Sequence, residues 1–126
     1  MSEFVEMKTA ELVREGLNWA VAQAEGLPAL IYPADPHYVY IDLPGRGCGP
    51  YHPSHNWSQG GPLIESEELT VEPSAWDWKG ACVLWRAQQE GESVYFEHTN
   101  LLVAAMRAVV HAKIGDTVSV PKELLV

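Results

Sequence analysis

Apolar positions along the first third of the chain fall at Leu12, Val13, Gly16, Leu17, Ala20, Val21 and Ala24, with Glu11, Arg14, Glu15, Asn18 and Glu25 between them. That spacing puts one stripe on a 3.6-residue period and predicts an amphipathic helix laid on a core. Thr9 is placed to cap its start, and Gly26 followed by Pro28 supplies the stop. A second helix is predicted over residues 100–114, with Thr99 as its cap and Gly115 as its stop. Apart from Arg107, His111 and Lys113 this helix is apolar nearly all round, which predicts burial on most sides.

Between and after the helices the period changes to two. Residues 29–32 and 38–43 read as strands, the latter rich in tyrosine and β-branched side chains. Residues 81–86 and 93–98 read as a hairpin about a Gln-Gln-Glu-Gly-Glu turn, with Trp76 and Trp78 continuing the alternation upstream. A last strand over 117–120 precedes Pro121, which opens a helical turn. Residues 44–50 and then 51–65 are read as a long irregular loop, because glycines and prolines crowd both segments. The expected fold is therefore α+β, a single domain over 1–126. It has an antiparallel sheet of about four to five strands, two main helices packed on one face, and the long loop.

Composition narrows the function classes. At 126 residues and 47% hydrophobic the chain is one folded domain, since two of ordinary size would not fit. A formal net charge of −9, with eight scattered Lys and Arg, offers no basic stripe for nucleic acid. The acidic excess at Glu65, Glu67, Glu68, Glu72 and Asp77 reads as a solvated face. Its sharper alternative is a DNA-like patch for a basic partner's groove. Two isolated cysteines, an acidic start and no long apolar run suit a reduced, cytoplasmic protein off the membrane.

The densest candidate chemistry lies in residues 51–64. His52, Ser54, Asn56, Trp57, Gln59, Gly60 and Gly61 gather there as a polar and aromatic set of the kind that small domains place at binding sites. Trp57 is the expected anchor, with Asn56, Gln59 and His52 giving directional hydrogen bonds and the two glycines close backbone approach. Trp19 and Arg107 are the expected floor. His52 and His55 lack the second ligand pair of a zinc site, and Ser54 and Ser58 lack a nucleophile elbow, so no metal, cofactor or catalytic residue is assigned. Glu65, Glu67 and Glu68 are read as solvated carboxylates, and the diglycine lacks a phosphate-loop signature. Three functional readings follow. The leading one is a non-enzymatic module binding a protein partner or a small planar ligand. Its rivals are a small hydrolase or nucleotide-processing enzyme using His52 or His55, and a homodimer with the loop as its interface.

Three blocks together resemble the NinX-like family of phage proteins. They are Met7-Lys-Thr-Ala-Glu-Leu with Leu17-Asn-Trp-Ala-Val-Ala-Gln-Ala-Glu-Gly, the whole of residues 51–65, and Leu102-Val-Ala-Ala-Met-Arg with Lys113-Ile-Gly-Asp-Thr-Val-Ser-Val-Pro-Lys-Glu-Leu. Asn100 stands where a proline often opens the helix, and His55-Asn56 replaces a Thr-Asp pair. The resemblance carries no catalytic residue over. It implies a phage or prophage accessory protein working in the bacterial cytoplasm.

Overall fold

The computed structural model describes residues 3–43 and 47–125. Three helices and eight strands alternate along it. Strand β1 is Phe4–Lys8 and α1 is Arg14–Ala24, followed by β2 Ala29–Ile31, β3 Val39–Leu43 and β4 Gly47–Pro50. Helix α2 is Trp57–Ser66; β5 Leu69–Trp76, β6 Cys82–Gln89 and β7 Phe96–His98 come next. Helix α3 is Leu101–Lys113 and β8 is Thr117–Pro121, with a 3-10 turn at Lys122–Leu124. All strand pairing is antiparallel, so the fold is α+β. The strands outnumber the four to five expected, and they form three small sheets instead of one: β1–β8, β2–β3–β4 and β5–β6–β7.

Helix α3 is the centre of the molecule. Every residue from Leu102 to Val110 is buried, including Arg107. Helix α1 packs against it through Leu17, Ala20 and Val21, and the β5–β6–β7 sheet through Ala87 and Phe96. The apolar girdle of this helix is thus consumed within one chain, which removes the exposed face that a helix-mediated dimer would need. Its cap is Asn100, one residue after the expected Thr99. The Asn100 Oδ1 accepts from the N–H groups of Leu102 (2.9 Å) and Val103 (3.3 Å).

The first helix starts later than the periodicity predicts. Thr9–Glu11 form a separate 3-10 turn, and Thr9 turns its hydroxyl onto the Gly115 carbonyl at 2.6 Å instead of capping. The chain re-enters the helix at Arg14 through a left-handed φ of +52°. For a residue with a Cβ that conformation costs on the order of 1–2 kcal/mol, where Gly or Asn would cost least. Asn18, assigned by period to the solvent face, is fully buried, while Val13 from the apolar stripe is exposed.

Two glycine-rich segments read as loop are regular. Gly47–Pro50 pairs with β3 as a strand, whereas Pro44, Gly45 and Arg46 of the same expected loop lie outside the described residues. More consequentially, residues 57–66 form α2 despite Gly60, Gly61 and Pro62. Propensity alone sets two glycines at about 1 kcal/mol each and an interior proline at about 3 against such a helix. Tertiary contact supplies the compensation. Asn56 caps the first turn, Leu63 and Ile64 pack on the core, and Gly60 is buried against the Pro53 backbone and Leu102.

Candidate functional site

The segment from Tyr51 into α2 is a braced corner. Ser54 is 1% exposed, and its N–H donates at 3.1 Å to Oδ1 of the buried Asn18 on α1. Asn18 in turn donates through Nδ2 to Glu15 Oε2 at 3.1 Å. Gln59 spans the corner: its Oε1 accepts from the His52 N–H at 2.6 Å and its Nε2 donates to the Pro50 carbonyl at 2.9 Å. Asn56 Oδ1 takes the Ser58 N–H at 2.9 Å and the Ser58 hydroxyl at 2.7 Å. A Cβ on Gly60 would overlap the Pro53 carbonyl oxygen and lie 2.9 Å from Leu102 Cδ2. Ser54, Asn56, Gln59 and Gly60 therefore build the frame, with the Ser54 N–H, the Asn56 Oδ1 and both ends of the Gln59 amide engaged within the protein.

Trp57 behaves differently. As the first residue of α2 it stands outward, 57% exposed, with Gly61 beneath the ring. Beside the frame runs a series of rings. Tyr32 stacks on Tyr38 with centroids 4.7 Å apart, Tyr38 lies 6.2 Å from His52, and His52 stacks on His55 at 4.8 Å. Glu15 holds this series from below: Oε1 accepts the Val39 N–H at 2.8 Å, and Oε2 is 3.4 Å from His52 Nδ1. Glu15 therefore faces the imidazole from the α1 side. Periodicity gave no hint of Glu15, Asn18, Tyr32 or Tyr38 here, because each reaches the corner only through tertiary folding.

The remaining candidates are engaged elsewhere. Trp19 packs on Phe4 with ring centroids 6.3 Å apart. Arg107 donates from Nε to the Leu12 carbonyl at 2.8 Å, and burial lowers its pKa from the usual range. It also borders a cavity of about 480 Å³ with Lys8, Tyr95, Phe96 and Asp116.

A second cluster collects where α1, α2 and α3 end. Glu25 follows α1, Glu67 follows α2, and Lys113 closes α3. Lys113 Nζ is 3.5 Å from Glu67 Oε2, and the Glu67 side chain is only 10% exposed. Glu67 is thus a packed residue and not the solvated one expected from its acidic neighbourhood. Burial, and then the charge of Glu67, push the Glu25 carboxyl above the usual carboxylate range, with Lys113 opposing and a hydrogen bond to Glu67 adding to the rise. Tyr51 nearby is pushed up to about 12 by burial and by Glu25. Elsewhere the acidic run disperses: Glu72 pairs with Arg86 at 3.5 Å, and Asp77 Oδ1 accepts from the N–H groups of Lys79 and Ala81.

These features define a small α+β domain whose exposed tryptophan is carried on a rigid, hydrogen-bonded corner. The family described as Bacteriophage P22, NinX matches residues 8–113, most of the chain, and the protein belongs to that phage family. No curated protein matches the chain. Among the described residues no helix is long and apolar enough to cross a membrane.

Proposed function

We propose that the protein is a non-enzymatic accessory module, acting in the host cytoplasm, that docks a host or phage protein on the surface formed by Trp57, His52 and His55. The observation that carries this reading is Trp57. A large indole, more than half exposed, is held on a helix turn whose neighbouring polar groups are already committed to the frame. Such an anchor loses little conformational freedom on binding and has a large apolar area to bury, as interface hot spots do. The stacked His52–His55 pair supplies polar edges beside it. The partner is a protein in preference to a small planar ligand because the ring projects from the surface. A net charge of −9 disfavours nucleic acid.

Chemistry at His52 is the second reading, favoured by the Glu15–His52 contact. Against it, the Ser54 hydroxyl belongs to a residue that is 1% exposed and lies 3.3 Å from His55 Nδ1, which leaves no open nucleophile beside the imidazole. The test is Trp57→Ala. It should keep its melting temperature and oligomeric state yet lose capture of a partner from phage-infected host lysate. Undiminished capture sinks the docking surface, and a dimer that splits into monomers on this change would favour the homodimer.

A further inference from the structure

His55 also borders a cavity of about 390 Å³, lined by Val13, Arg14, Ser54, His98 and Asn100 together with Val103. The chain carries nine more negative than positive charges, yet this lining contains an arginine, two histidines and no carboxylate.

Each basic group has donor capacity left to offer. Among the described residues no ion pair or hydrogen bond occupies the guanidinium of Arg14. Arg14 also borders a neighbouring cavity lined by Glu11, Leu124 and Leu125. At His98, Nδ1 accepts the Asn100 N–H at 2.9 Å, so a neutral ring must carry its proton on Nε2. Burial first, and the nearby Arg107 charge second, lower the His98 pKa and keep the ring in that neutral, donating form. His55 contacts Ser54 Oγ through Nδ1 at 3.3 Å, which leaves Nε2 free of that contact.

We infer that this cavity binds the phosphate group of a small phosphorylated molecule. Arg14 opens α1, His55 lies in the turn before α2 and His98 ends β7, so three separate parts of the chain bring N–H donors to one cavity, a donor set suited to an oxyanion. The volume exceeds that of phosphate alone and falls at the lower end of small-molecule sites, leaving room for the rest of a compact ligand against Val13 and Val103. The inference goes beyond the docking surface and does not need it, since Arg14 and His98 play no part there.

The experiment is a two-dimensional amide NMR titration of the full chain with inorganic phosphate, then acetate at matched ionic strength, then a nucleoside monophosphate. Expected are saturable shifts centred on residues 14, 55, 98 and 100 with phosphate, tighter binding of the monophosphate, and little response to acetate. Arg14→Asn is the decisive variant. Asparagine accepts the left-handed backbone at this position, so the fold should melt no lower than the wild type while phosphate affinity falls at least tenfold. His98→Gln should weaken binding several-fold, and Trp57→Ala should leave it unchanged. Absent shifts, equal response to acetate, or undiminished binding by Arg14→Asn would each overturn the assignment.

Discussion

Gly60→Ala tests whether the corner beneath Trp57 is as tightly built as its geometry says. In an unobstructed helix interior the added methyl would stabilise by about 1 kcal/mol through propensity. Here it would overlap the Pro53 carbonyl oxygen and approach Leu102 Cδ2 to 2.9 Å. Leucine can rotate, but the Pro53 backbone has little room to move. Pro53 is fully buried, and the next N–H is tied to Asn18 at 3.1 Å. Overpacking of this kind costs on the order of 1–3 kcal/mol, with rigid backbone at the upper end. The net expectation is a loss of about 1–2 kcal/mol, or a fall of roughly 4–8 °C in melting temperature for a chain of this size. Gly61→Ala is the internal control. Its Cβ would meet Trp57 Cε3 at 3.5 Å, an ordinary contact, so the propensity gain of about 0.5–1 kcal/mol should survive. Thermal and urea melts followed by circular dichroism read both. A Gly60→Ala variant that melts at or above the wild type would refute the close approach and the rigidity inferred from it.

Two further perturbations probe the frame and the helix-end cluster. Asn18→Ala leaves the buried Ser54 N–H without its acceptor and should cost roughly 1–3 kcal/mol in a denaturant melt, whereas a solvated Asn18 would cost almost nothing. Glu25 binds its proton more tightly in the folded than in the unfolded chain. Its contribution to stability is therefore complete below the ordinary carboxylate pKa and is lost as pH rises through the elevated folded value. Glu25→Gln should accordingly raise the melting temperature at pH 7, change it little at pH 4, and flatten the profile between; an unchanged slope would show that neither burial nor Glu67 raises its pKa.

What the amino-acid pattern revealed, and what it hid, divides along a physical line. Helix α3 was legible because its apolar run and glycine stop agree, although its cap is Asn100 and not Thr99, and the fold class followed from short strands joined by turns. Helix α2 was not. Gly60, Gly61 and Pro62 argue locally for a turn, and only the packing of Gly60 on Pro53 and of Leu63 and Ile64 on the core makes the segment helical. Strand β1 was hidden for a related reason. Its inward residues Val5 and Met7 alternate with Glu6, Lys8 and a solvent-facing Phe4, and its partner β8 lies more than a hundred residues away. At the candidate site the sequence singled out the right segment but not the division of labour within it. Asn56 and Gln59 look like ligand-reading side chains until the N–H groups and carbonyl they serve are known. Glu15, which steadies His52, is one more helix carboxylate until the fold brings it across.

The pairing of β1 with β8 also sets an order for folding during synthesis. Phe4 faces Pro121 and Lys8 faces Thr117, and Thr9 is bonded to Gly115 and Asp116. A ribosome working at about 5–20 residues per second needs roughly 5–20 s to bring the second strand out after the first. Throughout that interval the leading strand must wait with its backbone open to solvent. The ribbon that joins the two ends of the fold is thus the last part to close, and because α3 emerges only just before β8, the core around α3 and the ribbon assemble almost together.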